Sequence, residues 1–201
     1  MTLFKSYNYG LKKISDHIVD DSGTKYVWVA FEANATDNCK LYKVSAHNPL
    51  QKYYNLDVPV NQINELAIDS TYIYLAVEDD NLIGYRYHKN APLTNYTTIL
   101  TPSGVNEAPV SLAVDSSNIF FLTPGVATGE IAKIVKTNLS GTLDEVIILE
   151  KSGEEIRNAV SITIDNGNLW VITNENPAKL VRVYEDGGVY TFESWEIITI
   201  V

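Results

Sequence analysis

A chain of 201 residues, 45% hydrophobic and 20% charged, is long enough for one domain with a sizeable core and too apolar for a disordered chain. Its 15 basic residues against 25 acidic ones leave a formal net charge of -10, which repels phosphate backbones and anionic lipid and so argues against nucleic acid and membrane as partners. A single cysteine, Cys39, excludes an internal disulfide and removes any need for an oxidising compartment.

The N-terminal stretch MTLFKSYNYGLKK holds no apolar run of signal-peptide length, and no run anywhere approaches the roughly 18 residues of a membrane-spanning helix. The expected setting is therefore the cytoplasm or a virus particle. Glycosylation triplets at Asn34, Asn95 and Asn138 carry no weight without a leader.

In chain order, residues Leu3 to Tyr9 read as a strand that precedes a repeat. The first unit, residues 12–58, contains DHIVDDSGTKYVWVAF from Asp16 to Phe31, in which two strands flank a long turn. The second, 59–105, contains ELAIDSTYIYLAV from Glu65 to Val77. Its Val-, Ile- and Tyr-rich segments predict strands near Asn64–Ile68, Ile73–Val77, Leu82–Tyr87 and Tyr96–Leu100. The third, 106–153, contains SLAVDSSNIFFLT from Ser111 to Thr123, and the fourth, 154–194, contains AVSITIDNGNLWVIT from Ala159 to Thr173. After them comes SWEIITIV, whose apolar residues Trp195 to Val201 predict a further strand, pairing either with residues 3–9 to close a ring or with another chain.

Two columns run through the units. An aromatic occupies one position of each second strand, at Trp28, Tyr74, Phe120 and Trp170, in steps of 46, 46 and 50 residues. Such rings are expected to fill the space between neighbouring sheets. A basic residue followed by an apolar one recurs in each third strand, at Lys43, Arg86, Lys133 and Arg182, and is expected to pair with carboxylates of the next unit, the alternative being that the four line one surface of the ring. The first strand of each copy ends in an aspartate: Asp69, Asp115, Asp165 and, in the first unit, Asp21 or its neighbour Asp20. An aspartate there accepts hydrogen bonds from backbone N–H groups two residues on and closes the turn. Metal ligation is disfavoured, because the residue recurs in every unit while a ligand set arises once per site.

Four antiparallel strands in a unit of about 46 residues is the size of a propeller blade. The expected fold is all-β: one domain over residues 1–201, a small β-propeller of four blades with four strands each. The outline of apolar strand, Asp, turn, Gly and an apolar–aromatic pair, clearest in AVSITIDNGNLWVIT, resembles the repeats of NHL-type and gluconolactonase-like propellers. That resemblance covers about fifteen residues of each unit and implies fold rather than function, since such blades host enzymes, scaffolds and receptors alike.

No catalytic signature accompanies it. The Glu, Asn and Asp cation set of the gluconolactonase-like enzymes has no residue-by-residue match, and no nucleophile elbow, P-loop or zinc motif is present. His17, His47 and His88 read as surface residues, Cys39 as part of a polar loop, and Glu78, Asp79 and Asp80 as a solvated hairpin tip. No catalytic residue, cofactor or metal ligand is assigned, and no small-molecule ligand is named. The function expected is a non-enzymatic binding or scaffold module that meets a protein partner or itself through the polar loops Ala33–Lys40, Ser45–Pro49, Pro102–Pro109 and Gly125–Glu130. The alternatives are a structural protein of a virus particle, such as a phage tail or nozzle propeller, and a metal-dependent lactonase-like hydrolase.

Overall fold

The structure, a computed structural model, describes residues 14–20, 25–32, 38–47 and 52–197. These residues form eighteen strands and no helix. Sheet 1 consists of β1 (Ile14–Asp20), β2 (Tyr26–Phe31), β3 (Cys39–Ser45) and β4 (Lys52–Val58), and sheet 2 of β5 (Gln62–Ile68), β6 (Tyr72–Glu78), β7 (Leu82–His88) and β8 (Tyr96–Leu100). Sheet 3 follows with β9 (Ser111–Val114), β10 (Asn118–Thr123), β11 (Lys133–Asn138) and β12 (Leu143–Ile148). A short hairpin, β13 (Glu150–Lys151) and β14 (Glu154–Glu155), precedes sheet 4, made of β15 (Ala159–Asp165), β16 (Asn168–Thr173), β17 (Lys179–Asp186) and β18 (Val189–Glu196).

Each four-stranded sheet is an antiparallel meander from one continuous stretch of chain, in strand order one to four. Trp195 therefore lies inside β18, paired with Leu180, and belongs to the fourth sheet rather than to a surplus strand. Residues 3–9 and 198–201, which carry the rest of the expected closing strands, lie outside the described residues.

Because side chains alternate along a strand, each sheet has one face toward the sheet before it and one toward the sheet after it. Three apolar seams result, joining sheets 1 and 2, 2 and 3, and 3 and 4. The inner strands β1, β5, β9 and β15 lie side by side across them, the radial arrangement of a β-propeller. Trp28, Tyr74 and Phe120 each enter the seam with the following sheet and are 0%, 0% and 3% exposed. Trp170, at the same position of sheet 4, faces away from sheet 3 and is only half-buried. Gly84 marks a close approach of sheets 2 and 3: a Cβ there would fall 2.6 Å from the ring of Phe121 in sheet 3.

The aspartate turns differ among the units. Asp69 Oδ1 accepts from the N–H groups of Thr71 and Tyr72, both at 2.6 Å, and Oδ2 from the Tyr74 hydroxyl at 2.6 Å. Asp115 Oδ1 accepts from Ser117 N and Asn118 N at 2.6 and 2.7 Å. Asp165 corrects the expectation. Its Oδ2 accepts from the Asn166 side chain at 3.1 Å, and the turn is closed instead by strand pairing of Asp165 with Asn168. Asn166 and Gly167 take positive φ of 49° and 76°, the two-residue turn that Asn-Gly favours. Asp21 lies outside the described residues, while the backbone of its neighbour Asp20 pairs with Tyr26, the counterpart of Tyr72.

Partial burial opposes ionisation of Asp69, but the bonds from Tyr74, Tyr72 and Thr71, with Lys89 nearby, hold its carboxyl below the ordinary value of 3.8. Burial, together with that same bond to Asp69, pushes the Tyr74 hydroxyl up. In urea unfolding, Asp69→Ala should cost about 2 kcal/mol, Asp115→Ala about 1, and Asp165→Ala under about 0.5. Equal losses at the three positions would contradict this ranking. Because Asp69 is a stronger acid folded than unfolded, its contribution is present above pH 3.8 and is lost as the pH falls below that value. The Asp69→Ala variant should show the shallower fall in stability on acidification.

Candidate functional site

The basic column holds the seams together. The cross-strand partner of each aromatic is a cation: Lys43 opposite Trp28, Arg86 opposite Tyr74, Lys136 opposite Phe120 and Arg182 opposite Trp170. In sheet 3 the member is Lys136, and not Lys133, which pairs with Thr123 at the strand's end and bonds Glu130 at 2.6 Å. A long β10–β11 loop shifts the column there relative to a count along the chain. Lys43 Nζ donates to the carbonyl of Lys89 at 3.2 Å, and Arg86 Nη1 donates to the carbonyl of Leu139. Both acceptors are in the turn between the third and fourth strands of the following sheet. Lys136 reaches Tyr190 of sheet 4, with Nζ 5.4 Å from its ring centre, and bonds Asp144 at 2.6 Å. The expected partners were carboxylates of the next unit; the observed ones are two carbonyls and a ring.

Arg182 has no following sheet among the described residues and turns to its own: Nε bonds Asn168 at 3.0 Å, and Nη1 lies 3.8 Å from Glu193. These cations serve architecture, so the site lies elsewhere.

A cleft of about 450 Å³ opens on the rim between sheets 2 and 3. Three connections build it: residues 59–61 between β4 and β5, 79–81 between β6 and β7, and 101–110 between β8 and β9. Its lining includes Glu78, Asp79, Asp80 and Glu107 and no basic side chain. Two of these carboxylates are committed to the backbone. Asp79 Oδ1 accepts from Asn81 N at 2.9 Å, and Glu107 takes the N–H groups of Gly125, Val126 and Ala127 at 2.6, 2.8 and 2.7 Å. Glu107 thereby fastens the β10–β11 loop to the cleft wall. Glu78 and Asp80 are exposed to solvent.

Next along the rim, Glu130 accepts from Lys133 at 2.6 Å and from Asn106 at 2.7 Å, bonds that hold its carboxyl below the ordinary range. The expected loops Pro102–Pro109 and Gly125–Glu130 thus meet on this rim, while residues 45–47 lie at the opposite one. Of the expected loop Ala33–Lys40, Cys39 and Lys40 instead open β3. Cys39 is buried, with Sγ 3.5 Å from the carbonyl of Asn61, so it is a core residue and not an exposed one. His47 is exposed, and His88 Nδ1 accepts from Asn90 N at 3.2 Å. Among the described residues, no group of three His, Cys, Asp or Glu side chains is placed to hold a metal ion.

No family model and no curated protein matches the chain. Solved structures do. The computationally designed protein Ika4 superposes with a TM-score of 0.60 at 10% identity, covering 96% of each chain. A prolyl endopeptidase structure gives a TM-score of 0.61 at 10% identity, covering 94% of this chain and 27% of that one. A quinonprotein alcohol dehydrogenase-like protein from Bacteroides thetaiotaomicron gives 0.58 at 14% identity, covering 90% of this chain and 41% of that one. At such identities the likeness establishes the fold, an all-β propeller, and leaves activity to the residues themselves.

Removing the Glu107 carboxylate should free the β10–β11 loop without unfolding the sheets. In Glu107→Ala, amide exchange at Gly125, Val126 and Ala127 should quicken by about tenfold or more, while exchange in β10 and β11 stays unchanged. Unaltered exchange at those three amides would show that the carboxylate does not fasten the loop.

Proposed function

We propose that this propeller is a non-enzymatic binding module whose acidic cleft between sheets 2 and 3 receives a basic segment of a partner protein. The observation that carries the reading is the cleft's division of labour. Glu107 and Asp79 hold its walls by bonding backbone, while Glu78 and Asp80 stand free toward solvent with no cation in the lining. A wall whose carboxylates bond the backbone of two connections, the 79–81 turn and the β10–β11 loop, is preformed, which lowers the ordering cost of binding. Two exposed carboxylates then attract a cationic partner from a distance, an effect that acts mainly on association rate and weakens with salt.

The likeness of the repeat to NHL-type and gluconolactonase-like blades supports a scaffold that presents loops on a rigid ring, and the likeness in fold to a computationally designed protein is in keeping with it. Titration with a panel of Lys- and Arg-rich peptides tests the proposal. Binding should weaken as salt rises, and the Asp80→Lys change should slow association about tenfold while leaving the fold intact. Peptide binding indifferent to both salt and Asp80→Lys would overturn the proposal. So would a divalent-cation-dependent lactonase activity that disappears in Asp80→Ala.

A further inference from the structure

Each four-stranded sheet has an outer edge, and an edge presents backbone N–H and C=O groups that another strand can take up. The outer strands are β4, β8, β12 and β18. Three of them carry exposed carboxylates: Asp57 on β4, Asp144 and Glu145 on β12, and Glu193 and Glu196 on β18. Charges on an edge keep a second strand away. β8, Tyr96–Leu100, has no charged side chain, and neither have the residues from Ala91 to Pro102 around it. Strand and flanks lie well inside the described stretch 52–197.

The free side of β8 is set by its bound one. Asn95 O accepts from His88 N at 2.9 Å, and Thr101 N donates to Asn81 O at 2.9 Å, so residues 95, 97, 99 and 101 turn their backbone groups toward β7. By alternation Tyr96, Thr98 and Leu100 turn theirs outward. The bulge of this pair inserts Ile83 into β7 and leaves β8 unbroken. The same three residues are exposed, Tyr96 by 55% and Leu100 by 69%, whereas Ile99 is buried in the seam with sheet 3. Thr97 Oγ1 accepts from Arg86 Nη2 at 3.1 Å, and the Tyr96 ring stacks on Tyr87 with centres 5.5 Å apart. The edge is therefore held before any partner arrives, which spares part of the ordering cost of pairing.

We propose that β8 pairs antiparallel with β8 of a second copy about a twofold axis at Thr98, joining two four-stranded sheets edge to edge. The occupant follows from the strand's own pattern. The antiparallel register that sets Thr98 against Thr98 engages all three outward residues at once. It also sets Tyr96 of each copy against Leu100 of the other, an aromatic against an aliphatic side chain. Charge points the same way: chains of net charge -10 repel one another, and this edge lets two copies meet without facing carboxylates. The acidic tip Glu78–Asp80 adjoins Thr101, since Thr101 N bonds the carbonyl of Asn81. Antiparallel pairing carries each tip to the Asn95 end of the other copy, whereas parallel pairing would set the two tips side by side. A contact of one patch with itself closes at two chains. It is small for a protein interface, so the dimer is a weak one. The inference is independent of the acidic cleft and its partner.

Static light scattering on solutions from about 10 µM to about 1 mM, the range expected of a small specific contact, tests the pairing. The mass should rise from 22.4 kDa toward twice that value. Thr98→Lys and Thr98→Glu, made at an exposed side chain, should each stay folded by far-UV circular dichroism. Each should dissociate at least about tenfold more readily than the parent, because like charges then meet across the axis. Mixed together the two variants should regain a two-chain species, since pairing residue 98 with itself sets opposite charges face to face. Leu100→Lys should weaken the dimer as well, and it serves in place of Thr98→Lys should that variant fail to fold. A parent of 22.4 kDa throughout, a dimer indifferent to these changes, or a mixture that stays monomeric would overturn the proposal.

Discussion

The structure depends on one contact made three times: an aromatic ring from the second strand of a sheet buried against the apolar face of the sheet that follows. Removing a side chain of that size from water contributes about 1.5–3 kcal/mol. A four-stranded meander has no interior of its own, so its apolar residues are sheltered only by neighbours. The cation opposite each ring makes the contact directional. Burying Lys43 at 5% exposure requires acceptors, and it finds one in the carbonyl of Lys89 in sheet 2. Packing and hydrogen bonding thus bind each sheet to its successor at the same point, and the rim loops inherit their positions from that register.

The acidity of the chain divides along the same lines. Asp69, Asp115, Glu65 and Glu107 spend their charge on backbone N–H groups, where an ionised acceptor makes the stronger hydrogen bond. Others remain in water. Glu78 and Asp80 sit on a tip whose backbone is already satisfied, where Asn61 N bonds the carbonyl of Glu78 and Thr101 N that of Asn81. Their charge is therefore available to a partner, whereas that of Glu107 is not. A composition-level charge of -10 cannot distinguish the two classes, yet the binding properties of the rim turn on it.

Sequence by itself determined what is local or what repeats. The alternation of apolar and polar residues marked β5 to β8 within a residue or two, because side chains in a strand change face at every step. The recurrence of Trp28, Tyr74 and Phe120 marked the ring positions, and Asp69 and Asp115 their turns, because an aspartate and the N–H groups two residues on are neighbours along the chain. Only the tertiary structure decided the rest. Lys136 replaces Lys133 because ladder pairing, counted outward from a long loop, sets which residue faces Phe120. Cys39 is buried and Trp170 half-open because burial depends on which sheet comes next, and the chain around each residue carries no mark of that neighbour. The cleft was hidden for the same reason: its carboxylates come from connections as far apart as residues 78 and 107, and the seam between sheets 2 and 3 is what brings them onto one rim.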